Sequence, residues 1–88
     1  MKVHFAKNAA KDFEYWRRKD PRIHRRIVAL VEAIKADPFT GIGKPEPLKG
    51  DLSGWWSRRI GEEHRLVYRV TGPKRDRTLE VLSCRYHY

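Results

Sequence analysis

The chain has 88 residues and a formal net charge of +9, from 20 Lys and Arg against 11 Asp and Glu. A domain of this length buries only about 60–65% of its unfolded surface, which excludes separate nucleotide-binding and substrate domains and predicts one domain over residues 1–88. The 40% hydrophobic content excludes a disordered basic tail. Excess positive charge favours a polyanionic partner, nucleic acid first, with an anionic membrane surface as the weaker alternative.

The first half of the chain predicts one short strand and two helices. Alternation of apolar and polar residues over positions 3–5 is typical of a strand. Asn8 is predicted to cap a first helix that ends near residue 19. Asp20 and Pro21 form a start signal for a second helix, which we expect to end before Pro38.

The second half predicts a loop followed by strands. Four glycines and three prolines fall within residues 38–54, so this segment is predicted to be a loop, and long ordered loops tend to be functional. Strands are predicted over residues 55–60, 64–70 and 77–85. The fold class is therefore α+β, with a short N-terminal strand and two helices packed on one face of an antiparallel sheet. The other face of such a sheet stays open to a ligand.

Metal and membrane chemistry have little support in the sequence. The single cysteine, Cys84, cannot form an internal disulfide, and the four histidines lie too far apart for zinc-ligand spacing. We expect no metal and no cofactor. Residues 1–7 are charged too early for a secretory signal, and the aliphatic run over residues 27–31 is far short of the roughly 20 residues that span a bilayer. We therefore expect a cytoplasmic protein that does not enter a membrane.

Arginines alternate with aromatic residues along the predicted strands. Guanidinium groups bind phosphates and aromatic faces stack on unpaired bases, a combination typical of proteins that hold single-stranded nucleic acid. The residues concerned are Arg58, Arg59, Arg65, Arg69 and Arg85, with Trp55, Trp56, Tyr68 and Tyr86.

A set of polar residues suits RNA cleavage by side chains alone. This reaction needs a base for the 2′-OH proton, an acid for the 5′-oxygen and cations on the phosphate. Glu46 is the candidate base and His87 the candidate acid, with Arg65 as phosphate clamp and Lys49 and Arg59 as supporting cations. The alternatives are a solvated loop carboxylate at Glu46 and a frayed terminal residue at His87.

The alternation of side chains along a strand indicates which face of the sheet carries Arg65. Over residues 64–70, Arg65 shares a face with Val67 and Arg69, whereas the intervening residues are apolar enough to pack on the helices. Arg65 is thus expected on the open face. The register of the last strand is less regular, and we expect a bulge or an end to pairing near Cys84.

Five motifs, in order and in spacing, resemble the Txe/YoeB toxins of the RelE superfamily. They cover nearly all of the second half and end in an aromatic-His-aromatic sequence. The motifs are residues 43–49 (GKPEPLK), 52–54 (LSG), 56–60 (WSRRI), 63–68 (EHRLVY) and 84–88 (CRYHY).

The resemblance implies a RelE-like microbial RNase fold and a toxin of a type II toxin–antitoxin system. Such toxins cut mRNA in the decoding site of the ribosome by 2′-OH attack. Implied partners are a cognate YefM- or Axe-like antitoxin, the ribosome with its mRNA and rRNA, and in some members a homodimer. The roles implied are general base for Glu46, phosphate stabilisation for Arg65, general acid for His87, RNA orientation for Tyr88, and RNA binding for Lys49 and Arg59.

Two alternatives stay open at this point. The same charge and aromatic residues could serve a non-catalytic RNA-binding or ribosome-associated module, or the chain could be an inactive member of the family. The turn over residues 71–77 is longer and more basic than in shorter-turned members. It is either an exposed hairpin tip or an additional contact to ribosomal RNA.

Overall fold

The structure, a computed structural model, describes residues 1–86, so His87 and Tyr88 lie outside the described residues. The predicted α+β class is confirmed, with two helices on one face of a five-stranded sheet. The bounds of the predicted strands differ from the observed ones by at most two residues at either end. The elements are β1 (Lys2–Phe5), α1 (Lys7–Lys19), α2 (Pro21–Ala36), β2 (Glu46–Pro47), a 3-10 turn (Gly50–Leu52), β3 (Trp56–Arg59), β4 (Arg65–Thr71) and β5 (Thr78–Ser83).

The sheet has the strand order β1-β5-β4-β3-β2. Strands β2 to β5 pair in antiparallel fashion, whereas β1 runs parallel to β5, so the sheet is mixed and not purely antiparallel as predicted. Parallel neighbours need a long crossover, which the two helices and the following strands provide. The predicted loop also contains a two-residue strand, β2, which brings Glu46 into the sheet.

The second helix begins as the sequence predicts. The side chain of Asp20 accepts a 3.1 Å hydrogen bond from the backbone N–H of Arg22, and Pro21 occupies the first helical position. This cap satisfies one of the backbone donors left free at the start of a helix.

The first helix begins one residue before Asn8, so the prediction that Asn8 caps it is wrong. Ala6 occupies the capping position and makes no side-chain hydrogen bond. The backbone N–H of Ala6 donates to the carbonyl of Val81 at 2.9 Å. The chain therefore stays paired to β5 up to the residue at which the helix starts.

The hydrophobic core lies between the helices and one face of the sheet. Leu66, Tyr68, Leu79 and Val81 on β4 and β5 are fully buried there. The opposite face, which has no helix on it, is called the helix-free face below. The helix residues of the core are Ala9 and Trp16 on α1, and Ile27, Leu30, Val31 and Ile34 on α2.

A bulge interrupts β5 close to its end. Tyr68 pairs with Val81 and Val67 pairs with Ser83, so Leu82 is an extra residue on the β5 side. The bulge lets Val81 face the core while Ser83 shares the face of Val67. The expected irregularity near Cys84 is confirmed, and strand β5 ends at Ser83.

The fold offers no membrane-crossing segment and no metal cluster among residues 1–86. Neither α1 nor α2 is long and apolar enough to cross a bilayer. In the same part of the chain, no group of three or more His, Cys, Asp or Glu residues is placed to hold a metal ion.

Candidate active site

A carboxylate and a guanidinium meet on the helix-free face. Glu46 lies on β2 directly opposite Ser57, and Arg65 is the first residue of β4. Nη1 of Arg65 lies 4.0 Å from Oε1 of Glu46, across the intervening strand β3. The small side chain of Ser57 leaves room for this approach. The structure therefore brings together the predicted base and the predicted phosphate clamp.

Both groups remain accessible to a ligand. The side chain of Glu46 is 62% exposed and that of Arg65 is 26% exposed. Within residues 1–86, Arg65 is the only ion-pair partner of Glu46. A carboxylate in this position can accept a proton, and the adjacent guanidinium can bind an anionic oxygen without leaving the sheet.

Arg59 stands directly opposite Arg65 in the β3–β4 register, on the same face of the sheet. Like charges in opposite positions of two strands repel each other. Arg59 is exposed, and its backbone is fixed because its N–H donates to the carbonyl of Gly43. Two arginines held this way form a site in which an anion would relieve their repulsion.

Lys49 lies in the same loop, at the start of the 3-10 turn, and is exposed. Among residues 1–86, Lys49 forms no ion pair with Glu46. The structure thus gathers Glu46, Arg65 and Arg59 and leaves Lys49 at the rim.

The chain end is held next to Arg65. The backbone N–H of Arg65 donates to the carbonyl of Tyr86 at 2.9 Å, and the N–H of Tyr86 donates to Nδ1 of His64 at 2.8 Å. Tyr86, the residue before His87, is therefore hydrogen-bonded to the backbone of the predicted phosphate clamp. The roles predicted for His87 and Tyr88 fall outside the described residues and stay predictions.

Arg58, one of the strand arginines singled out for phosphate binding, is not available to a ligand. Its side chain is fully buried on the core face of β3. Its guanidinium donates to three backbone carbonyls of the loop after α2, those of Asp37, Thr40 and Ile42, at 2.7, 2.8 and 3.0 Å. A buried charge of this kind needs such partners, and here they fix the segment that leads to β2.

Tyr68 is also lost as a base-stacking residue, because it is fully buried. Its hydroxyl donates to the carbonyl of Pro38 and accepts from Nε of Arg58 at 3.2 Å. Burial raises the pKa of Tyr68 above its usual value, an effect that the nearby Arg58 partly offsets.

Two further strand arginines are engaged with protein groups. Arg69 pairs with Glu80 at 2.9 Å, and its guanidinium lies 4.4 Å from the centre of the Trp55 ring. Arg85 lies 3.7 Å from the centre of the Tyr15 ring on α1. Of the five predicted strand arginines, Arg59 and Arg65 are therefore the pair that remains directed at the candidate site.

Sequence reasoning missed His64 and misplaced Arg58, although the pattern held a signal for each. Period-two alternation over residues 56–59 puts Arg58 on the same face as Trp56, which is the core face. His64 begins the predicted strand over residues 64–70 and has no predicted role, whereas in the structure its Nδ1 accepts a hydrogen bond from the backbone N–H of Tyr86.

Comparisons with known proteins agree over the whole chain. A family model described as the YoeB-like toxin of bacterial type II toxin–antitoxin systems matches residues 5–88. The Toxin YoeB of Synechocystis sp. is 50% identical over 88 residues, covering 100% of this chain and 98% of the relative.

Solved structures agree with the sequence matches. The YoeB/ParE toxin from Agrobacterium tumefaciens has a TM-score of 0.98 at 50% identity, with 100% of both chains covered. The YoeB of Staphylococcus aureus, solved as a dimer, has a TM-score of 0.90 at 39% identity, covering 100% of this chain and 98% of that one. Staphylococcus aureus YoeB has also been solved in a heterotetrameric complex with YefM, with a TM-score of 0.88 at 38% identity and the same coverage.

Proposed function

Because the chain belongs to the YoeB-like toxins of bacterial type II toxin–antitoxin systems, we propose that it is an endoribonuclease that cuts mRNA on the ribosome. The observation that supports the proposal most strongly is the approach of Glu46 and Arg65 to 4.0 Å on the helix-free face. An accessible base beside an accessible guanidinium supplies two of the three kinds of group that 2′-OH attack on a phosphodiester needs, and His87 is the proposed third, the acid.

In the proposed reaction, Glu46 removes the proton from the ribose 2′-OH. The 2′-oxygen then forms a bond to phosphorus, while the bond from phosphorus to the 5′-oxygen breaks. Arg65 stabilises the negative charge that develops on the phosphate, and His87 donates a proton to the departing 5′-oxygen. The products are a 2′,3′-cyclic phosphate and a 5′-OH, and the electron and proton balance involves no metal.

Each of these groups is expected to contribute a large factor to the cleavage rate. A positioned general acid or base contributes typically about 10²–10⁴ in rate. A group aimed at developing charge contributes about 10²–10³. Loss of Glu46 or His87 should therefore lower the cleavage rate far more than it lowers RNA affinity.

The electrostatics of the helix-free face support a phosphate ligand. Arg59 and Arg65 stand opposite each other in the register, so an anion between them replaces repulsion with two attractions. Lys49 at the rim and Tyr88 at the chain end complete the proposed RNA contacts. The net charge of +9 adds attraction that does not depend on sequence.

Partners follow from the same family. We propose a cognate antitoxin of the YefM type, whose acidic segment would order on the basic surface as it binds. The ribosome with its mRNA and rRNA is the proposed site of action, which places the protein in the cytoplasm. A homodimer is a further assembly to test, since the Staphylococcus aureus relative was solved as one.

Primer extension on mRNA in a reconstituted translation reaction tests the proposal. Wild-type protein should produce discrete cuts, and Glu46→Gln, which keeps the size of the side chain, should lower the cleavage rate by about 10²–10⁴. Glu62→Gln is the matched control, because Glu62 is an exposed carboxylate in a turn. Ribosome binding with no cuts by wild type would instead support the alternative, a non-catalytic ribosome-associated module.

A further inference from the structure

The imidazole of His64 is hydrogen-bonded to the backbone of Tyr86. Its Nδ1 accepts a 2.8 Å hydrogen bond from the backbone N–H of Tyr86, and the next residue, Arg65, donates its own N–H to the Tyr86 carbonyl at 2.9 Å. Two consecutive residues thus satisfy both backbone polar groups of Tyr86. The imidazole thus serves here as a hydrogen-bond acceptor through Nδ1.

The backbone of Tyr86 adopts an unfavourable conformation. Its φ of 64° lies in the left-handed region, which aromatic residues rarely adopt. The Tyr86 residue is 57% exposed, so burial of its ring is not what holds the conformation. The hydrogen bonds that Tyr86 makes with His64 and Arg65 stabilise this conformation, and the rings of Tyr86 and His64 also pack together, with 5.4 Å between their centres.

His64 is itself fixed from two sides. Its ring packs edge-on against Trp16, with 4.6 Å between ring centres, and its carbonyl accepts the N–H of Ile60 at 2.9 Å. The indole N–H of Trp16 donates to the carbonyl of Cys84 at 2.9 Å. One aromatic pair, Trp16 and His64, therefore holds the chain at Cys84 and again at Tyr86.

We propose that His64 is a positioning residue, which holds the backbone of Tyr86, the residue before the proposed acid, through its Nδ1. This inference rests on the proposed function, in which His87 is the general acid. Consecutive Cα atoms are about 3.8 Å apart, so a fixed Tyr86 restricts where the next residue can reach. A catalytic group displaced by about 1 Å can lose about 10²-fold in rate.

Two substitutions separate the acceptor of His64 from its packing. His64→Asn places an amide oxygen close to the position of Nδ1, whereas His64→Phe keeps an aromatic ring against Trp16 but has no acceptor. His24→Phe is the matched control, because His24 also stacks on an aromatic ring, that of Phe13, but lies on α2.

The cleavage measurement uses the full chain in the reconstituted translation reaction. His64→Phe should lower kcat by about 10- to 100-fold with KM for the programmed ribosome unchanged, and His64→Asn should recover most of the loss. The control, His24→Phe, should match wild type. Wild-type kcat in His64→Phe would overturn the inference, as would an equal loss in His64→Asn and His64→Phe.

Hydrogen exchange at the Tyr86 amide gives a readout that is independent of activity. The amide should be protected in wild type and in His64→Asn, and should exchange about 10-fold faster in His64→Phe. Equal protection in all three proteins would overturn the inference. If wild type cuts no mRNA, the proposed function fails, while this exchange pattern alone decides whether His64 holds the chain end.

Discussion

Nε of Arg58 donates a 3.2 Å hydrogen bond to the hydroxyl of Tyr68, in the middle of the core. The Tyr68 hydroxyl in turn donates to the carbonyl of Pro38, and the rest of the guanidinium binds carbonyls of the same loop. This buried pair joins the sheet to the segment that ends at Glu46. The loop that leads to Glu46 is thus attached to the core by polar bonds on the face opposite the candidate site.

Removing the buried guanidinium should destabilise the fold strongly. Arg58→Met is expected to lower the free energy of unfolding by about 3–5 kcal/mol, because three loop carbonyls and the Tyr68 hydroxyl lose their donor. Tyr68→Phe, which removes one hydroxyl, should cost about 1–3 kcal/mol. Urea denaturation measures both. Arg59→Met, one residue along and exposed, is the control, and an equal loss there would contradict the assignment.

Arg65 should matter for rate more than for stability. Arg65→Met is expected to lower the cleavage rate by about 10²–10³ with little change in melting temperature, since the guanidinium lies outside the core. Arg65→Lys should recover only part of the rate, because an ammonium lacks the planar fork. Arg22→Met removes an 85% exposed guanidinium at the start of α2 and should leave the cleavage rate unchanged. A wild-type rate in Arg65→Met would exclude Arg65 from the site.

Shortening the chain should separate folding from activity. A protein that ends at Tyr86 keeps every described strand and the bonds to His64 and Arg65, so its stability should equal that of wild type within about 0.5 kcal/mol. Its cleavage rate should fall by about 10²–10⁴, because the proposed acid is gone. Removal of Tyr86 as well should cost a further 1–3 kcal/mol, roughly, from the two lost hydrogen bonds. Wild-type cleavage by the shorter chain would rule out His87 as the acid.

Because the thiol of Cys84 is buried, we expect the folded protein to lose stability at alkaline pH. Burial, with a smaller effect of the Asp12 charge, raises the pKa of Cys84 from 9.0 to about 12. Because the folded pKa lies above the unfolded one, the stabilisation is complete below pH 9 and is lost as the pH rises from there to about 12. Between pH 8 and pH 10 the free energy of unfolding should fall by about 1.4 kcal/mol from this group.

Cys84→Ala should remove that part of the pH dependence. Urea denaturation of both proteins at pH 8, 9 and 10 measures it, and measurement up to pH 10 limits the contribution of Tyr68, whose own titration lies higher. The same dependence in Cys84→Ala would show that another group is responsible.

Local patterns predicted the elements well, because each depends on neighbouring residues. The Asp20-Pro21 start of α2 is visible in two adjacent residues, and its cap forms as expected. Alternation along β4 placed Arg65 on the helix-free face, where it meets Glu46. The spacing of the sequence motifs was enough to identify both residues before their distance was known.

Relationships between distant segments could not be read in the same way. The parallel pairing of β1 with β5 joins segments more than 70 residues apart, and the extra residue Leu82 depends on the register in which β4 and β5 pair. Strand alternation places Arg58 on the core face, but it does not show that three carbonyls of the loop after α2 lie there to accept hydrogen bonds from its guanidinium. The bond from Tyr86 to His64 likewise joins residues 22 positions apart.

The most direct test of the account replaces the nucleophile on the RNA. Once primer extension has located the wild-type cut, an mRNA with a single 2′-deoxy nucleotide on the 5′ side of that bond is translated with the toxin. If the 2′-oxygen is the nucleophile, the cut at this bond disappears, while the unmodified mRNA yields a 2′,3′-cyclic phosphate and a 5′-OH. Cleavage of the 2′-deoxy bond at the wild-type rate would contradict 2′-OH attack and the role of Glu46 as its base.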